Sequence, residues 1–135
     1  MTLTISVDAM GGDNAPDEPV SGSCSFAEQN PDITVILTGR EPVIRESLSR
    51  HKGETPPNLE IVHAEEIIGM EESPVSAVRE KKHSSIAQAV NQVREGRADA
   101  VISAGNTGVT VAEATLDLKR IPKVKRPGII NPFPS

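Results

Sequence analysis

Three short stretches of this chain carry residue types and spacings that could do chemistry. The sharpest is Ser103-Ala104-Gly105-Asn106-Thr107-Gly108, set between an apolar run, Ala100-Val101-Ile102, and a helix-like run from Val109. Glycine lets backbone approach an anion closely, and a helix start beyond it offers free N–H groups with partial positive charge. Asn106 and Thr107 add side-chain donors for the same oxygens. The pattern points to capture of phosphate or another tetrahedral oxyanion. The structural alternative is a tight connection in which Asn106 merely caps the helix.

The second stretch is Asp8-Ala9-Met10-Gly11-Gly12-Asp13, a Gly-Gly pair flanked by two carboxylates. It is neither a Walker loop nor a GxGxxG fingerprint, both of which need other spacings. Beside a dianion, Asp8 and Asp13 must orient donors, pair with cations or stay protonated. The bland alternative has Asp13 or Asn14 capping a helix while Gly12 takes a positive φ. The third stretch runs from Glu71-Glu72-Ser73-Pro74 to Arg79, Lys81, Lys82, His83, Ser84 and Ser85. Three cations and two hydroxyls at a helix junction can hold phosphate by charge-assisted hydrogen bonds, or form a solvated helix face. His83 could relay a proton, whereas His51 and His63 fall into no pattern. No spacing of ligands points to a metal site. A last cluster, Lys119, Arg120, Lys123, Lys125 and Arg126, contains no acid and could meet an acidic partner or simply line an exposed loop.

The elements that must position these stretches alternate along the chain. Leu3, Ile5 and Val7 alternate with polar residues and end at Asp8, which predicts a first strand. A helix is expected near Pro16, with Asp17 and Glu18 in its first turn, Val20, Cys24 and Ala27 inward, and an end at Asn30-Pro31. Ile33 to Leu37 predicts a second strand closed by Gly39. A short helix over Glu41 to Arg50 follows, with Ile44 and Leu48 inward. The polar stretch from His51 to Asn58 reads as a surface loop, and Leu59, Ile61 and Val62 as a third strand. Ser73-Pro74 opens a helix toward Lys82, and Ser84 or Ser85 caps the next, whose inward face is Ile86, Val90 and Val93 before Gly96. Ala100-Val101-Ile102 forms a fourth strand. The helix after Gly108 presents Val109, Ala112 and Leu116, and Gly128-Ile129-Ile130 is expected to be a fifth strand. Alternation of this kind favours a mostly parallel sheet with helices on both faces. The ending Asn131-Pro132-Phe133-Pro134-Ser135, where the pattern leads one to expect a helix, reads as a cut.

Composition narrows the classes. With 135 residues, 36% hydrophobic and 24% charged, the chain suits one globular unit. A net charge of −5 and only two aromatic rings, Phe26 and Phe133, argue against a nucleic-acid partner. Cys24 is alone, so no internal disulfide is possible, and it reads as a small buried residue. No apolar run is long enough for a membrane span, and a cytoplasmic protein is the economical expectation.

Taken together, the motifs resemble the bacterial phosphate acyltransferase family of phospholipid synthesis. Asp8 to Asp13 with Ala15-Pro16 matches its opening signature. Met70-Glu71-Glu72, Pro74, Arg79, Lys81 and Ser84-Ser85 match its central motif, Ser103 to Gly108 its third, and Arg126-Pro127 the start of the next. Val109 and His83 depart from the common pattern, where Ala and an acidic residue are usual. The resemblance implies an incomplete three-layer αβα, Rossmann-like domain of the isocitrate/isopropylmalate dehydrogenase type, with residues 1–135 its amino-terminal part and the carboxyl-terminal half absent. It further implies transfer of a fatty acyl group from acyl carrier protein to inorganic phosphate, with no cofactor and no metal. Asn106, Lys81 and Asp8 would be catalytic. Gly11, Gly12, Asp13, Arg79, Ser84, Ser85, Ser103, Gly105, Thr107 and Gly108 would bind phosphate or acyl phosphate. A homodimer, peripheral membrane association of the full-length protein and a downstream membrane glycerol-3-phosphate acyltransferase are part of the same expectation. Two readings stand beside it: an acetyl- or butyryl-transferring enzyme using coenzyme A thioesters, and a non-catalytic anion- or nucleotide-binding module.

Overall fold

A computed structural model describes residues 2–130 and Pro132; the remaining tail positions lie outside the described residues. Four strands and five helices follow one another as β1 (Leu3–Asp8), α1 (Asp17–Gln29), β2 (Ile33–Gly39), α2 (Glu41–Arg50), β3 (Leu59–His63), α3 (Pro74–Glu80), α4 (Ser85–Arg94), β4 (Ala100–Ile102) and α5 (Thr107–Asp117). The strands form one all-parallel sheet in the order β3-β2-β1-β4. The fold is therefore α/β, a parallel sheet layered between helices in the Rossmann-like manner.

Side-chain alternation along the strands makes two cores. Val7 and Leu37 point to one face, where Val20 and Cys24 of α1 and Ile44 and Leu48 of α2 cover them. On the other face Ile86 and Val90 of α4 pack with Ala77 and Val78 of α3 and Val109 of α5, against Val101. β2 lies between two neighbours with both faces covered, and its residues from Val35 to Gly39 are all buried. Asn58 ties the lower end of this half together: its amide donates to the carbonyls of Ala27, Asn30 and Ile33 at 3.0, 3.1 and 2.7 Å.

Three expectations fail in instructive ways. Gly128-Ile129-Ile130 forms no strand; Ile129 and Ile130 are 66% and 90% exposed, and β4 pairs with β1 alone among the described residues. Pro127 has no N–H to start a ladder, and three apolar residues with nothing covering them gain little by extending. Neither Asp13 nor Asn14 caps α1, whose N-cap position is Pro16 without a side-chain bond, and Ser73 likewise makes no cap bond to α3. The inward face of α5 is Val109 and Glu113, while Ala112 is half-buried and Leu116 is 63% exposed. Ser84 does cap α4, accepting from the Ala87 N–H at 3.1 Å.

Candidate functional site

Strand order decides where a ligand can enter. From β1 the chain runs through α1 and α2 to β2 and β3 on one side, then returns through α3 and α4 to place β4 on the other. The loops leaving β1 and β4 therefore diverge to opposite faces, and a crevice opens beyond the carboxyl ends of these two strands. Gly11 and Gly105 meet there, backbone to backbone. A Cβ on Gly11 would lie 2.7 Å from Asp8 Oδ2, 2.9 Å from Gly105 N and 3.0 Å from Ser103 Oγ. Gly12, at φ +102°, lies against the Ala104 carbonyl. Only glycine allows this approach at Gly11.

Asp8 is the anchor of the crevice. It is 4% exposed; its Oδ1 accepts the Met10 N–H at 3.1 Å and its Oδ2 accepts the Ser103 hydroxyl at 3.0 Å. Ser103 Oγ in turn accepts the Gly105 N–H at 3.1 Å. Ser85, buried at the start of α4, lines the same crevice, and its carbonyl accepts from Thr38 Oγ1 at 2.8 Å. Burial pushes the Asp8 carboxyl above its ordinary value, and hydrogen bonding opposes that rise only in part. One carboxylate thus ties the β1 loop to the β4 loop.

Asn106 is placed otherwise than as an anion donor. Its Oδ1 caps α5 by accepting from the Val109 N–H at 3.3 Å, and its Nδ2 donates to the carbonyls of Met70 and Glu72, both at 3.0 Å. The helix-capping alternative describes the side chain, which also staples α5 to the loop before α3. Thr107 and Gly108 are exposed in the first turn of α5, where backbone N–H groups have no helical acceptor. Gly108 packs on Pro74, where a Cβ would come within 2.6 Å of Cγ.

Lys81 is held in the same loop by the Ile67 carbonyl at 2.9 Å and by both oxygens of Glu72 at 2.8 and 2.9 Å. The Lys81 ammonium and the Gly69 N–H hold the Glu72 carboxyl below its ordinary range. Ser84 is buried at the α4 cap, and Asp13 is exposed beside Gly12. The structure thus brings Asp8, Gly11, Gly12, Asp13, Ser85, Ser103 and Gly105 together, while Thr107 and Gly108 open α5 further along the same loop. Arg79 is not among them. It stands exposed on a separate cavity between α3, α4 and α5, with Lys82 and His83.

Beside the crevice lies an apolar groove of about 520 Å³, lined by Ile5, Val7, Val35, Ile102, Pro19 and Phe26 and reaching Gly11, Gly12 and Asp13 at its mouth. It exists because α1 covers β1 and β2 and leaves Ile102 of β4 54% exposed. Local pattern offers little sign of it, although Gly22 and Phe26 sit four apart on α1, off the inward stripe of Val20, Cys24 and Ala27.

Comparison with known proteins agrees with this architecture. Residues 3–135 match the family described as fatty acid synthesis protein. The chain belongs to that family. It is 44% identical over 133 residues to a phosphate acyltransferase of Neisseria meningitidis serogroup C, covering 98% of this chain and 38% of that one. The phosphate acyltransferases of Chromobacterium violaceum and Coxiella burnetii are 42% and 44% identical, each over 100% of this chain and over 39% and 40% of their own. The chain thus spans about two fifths of the length of these relatives. No helix among its described residues is long and apolar enough to cross a membrane.

Proposed function

We propose that the full-length protein transfers a fatty acyl group from the thioester of acyl carrier protein to inorganic phosphate, releasing acyl phosphate and the carrier thiol. The observation that carries this reading is a tight glycine crevice, where Gly11 and Gly105 meet beside the buried Asp8, next to an apolar groove of about 520 Å³ that reaches Gly11, Gly12 and Asp13. A phosphate head and an acyl tail need such a pair of surfaces side by side. The names of the relatives support the same reading.

A phosphate oxygen attacks the thioester carbonyl carbon, the carbonyl becomes an oxyanion, and its collapse expels the carrier sulfur. Phosphate is itself the nucleophile, so the protein supplies position and oxyanion stabilisation rather than a serine or cysteine. The backbone donors of Asn106, Thr107 and Gly108 would face the anion. Asp8 acts through Ser103 and Gly105 to fix the loop, while Lys81 with Glu72, and Ser84 and Ser85, fix the neighbouring segment. Arg79, exposed on the far side of α3, would have to move to join them. Residues 1–135 would form the amino-terminal part of a single catalytic domain in a homodimer.

The exposed strip Lys119, Arg120, Lys123, Lys125 and Arg126 would attract the acidic carrier protein. The test is acyl-thioester consumption by the full-length protein with and without phosphate, with carrier-protein and coenzyme A thioesters compared. The reading expects phosphate-dependent formation of acyl phosphate from the carrier thioester. Thioester loss that ignores phosphate would overturn it; preference for short coenzyme A thioesters would favour the related acetyl or butyryl transfer.

A further inference from the structure

The apolar groove beside the crevice has a direction set by the topology. β1 and β2 are parallel, so α1, which joins them, runs back from the carboxyl end of the sheet toward its amino end. Asp13, Ala15 and Glu18 therefore stand at the end of the groove beside Gly11 and Gly12, and Phe26 stands at the other. The strand register supplies the floor: Val7 lies beside Ile102 and Ile5 beside Val35, on the face that α1 covers. From Glu18 to Phe26 the helix rises about 12 Å, at about 1.5 Å per residue. An extended chain covers about 1.2 Å per bond, a third of the span of an extended residue, so this length seats about ten carbons.

Two residues of α1 mark out that length. Phe26, 38% exposed, carries the one aromatic ring among the described residues, and Gly22 precedes it by one turn on the same wall. Gly22 sits mid-helix, where only proline is less favourable than glycine. It takes no left-handed φ, and a Cβ built on it would meet nothing within 4 Å. Neither backbone conformation nor packing among the described residues asks for glycine there. What its missing side chain leaves open is the middle of the groove.

We propose that this groove measures the acyl chain, seating its first carbons up to about the tenth, with Gly22 keeping the middle open and Phe26 closing the far end. The inference rests on the acyl-transfer reading and names the chains that the site prefers. Gly22 lies about 6 Å beyond Glu18, so an acetyl or butyryl group ends before reaching it. A longer chain passes Gly22 and covers Ile5 and Val35, and each methylene taken from water adds to affinity.

The test is calorimetric titration of the full-length protein with butyl, hexyl, octyl, decyl and dodecyl phosphate, each below its micelle concentration. A methylene half-covered by an open groove is worth about twofold in affinity. Binding should therefore tighten up to about the decyl ester and no further. Gly22→Leu should end the tightening near hexyl, so that decyl phosphate binds about tenfold more weakly than to the wild type. Gly22→Ala, which any helix accepts, should give a smaller loss in the same direction, and Phe26→Ala should carry the tightening on to dodecyl. A wild-type profile in the Leu or the Phe26→Ala variant would overturn the proposal. So would a profile with no gain from chain length, which would assign the groove to another part of the longer protein. Octanol, which carries no anion, separates the groove from the crevice. If phosphate fails to bind while octanol still binds more weakly to Gly22→Leu than to the wild type, the crevice reading falls and the groove stands. If phosphate binds and octanol is indifferent to Gly22→Leu, the groove inference alone falls.

Discussion

Replacing Glu113 by Gln should make this protein more stable, and only above a certain pH. Glu113 is buried on the inward face of α5 beside Val109, and its carboxyl is lifted from an ordinary 4.5 to about 7. Burial disfavours the charge first, and Asp117 one turn away adds repulsion. A carboxyl whose folded value is raised binds its proton more tightly in the folded chain than in the unfolded one. Its contribution is therefore most favourable below about 4.5, declines as pH rises through about 7, and is flat beyond. At about 1.4 kcal/mol per pH unit, the loss across this window is about 3 kcal/mol. Glutamine has the same shape and no charge to desolvate. Urea unfolding at pH 4.5, 6, 7 and 8.5 should show the two proteins within about 0.5 kcal/mol at the lowest pH. The variant should then be ahead by about 2–3 kcal/mol at the highest. A difference that stays constant across this range would refute the reasoning, because it would mean that Glu113 does not titrate between the two states.

Other substitutions test the rest of the architecture. Gly11→Ala puts a methyl 2.7 Å from Asp8 Oδ2 and 2.9 Å from Gly105 N. It should cost about 1–3 kcal/mol in thermal or urea unfolding and weaken phosphate binding, as overpacking does. Asn58→Ala leaves the carbonyls of Ala27, Asn30 and Ile33 without their shared donor, so a loss of about 1–3 kcal/mol is expected by urea unfolding. Asp8→Asn keeps the size of the side chain but cannot accept from both Met10 and Ser103 through oxygen. Phosphate affinity measured by calorimetry should fall about tenfold. Because burial holds the Asp8 carboxyl above 3.8, the wild-type chain also loses stability as pH rises from that value, and the Asn variant should lack this component.

Much of the frame was legible in the residues. Four strands could be placed because Val, Ile and Leu either alternate or run together between turn residues, and Ser84 announced its helix by type and position. The glycine-rich loops beyond β1 and β4 are recognisable from composition. What they do to one another is not. The bond between Asp8 and Ser103 spans 95 residues and depends on β4 being laid beside β1, a matter of strand order that local pattern does not encode. The type of Asn106 permits donation to anions, yet its amide is engaged by the carbonyls of Met70 and Glu72, brought close by α3 packing on α5. Glu113 is not legible because apolar spacing alone marks a helix face, and the buried position four after Val109 is an acid. Gly128 to Ile130 has strand-like residues with no neighbour to pair with among the described residues. Hydrogen-bond partners, not propensity, decide that segment.

The claim on which the account turns is that the crevice beyond β1 and β4, with the start of α5, seats a tetrahedral anion. Phosphate titrated into the isotopically labelled chain, with the backbone resonances of Gly11, Gly105, Thr107 and Gly108 followed together, tests it most directly. The account predicts that all four shift along a single saturable curve. If they stay in place while phosphate perturbs other residues, or none, the crevice is not an anion site and the proposed chemistry has no seat in this chain.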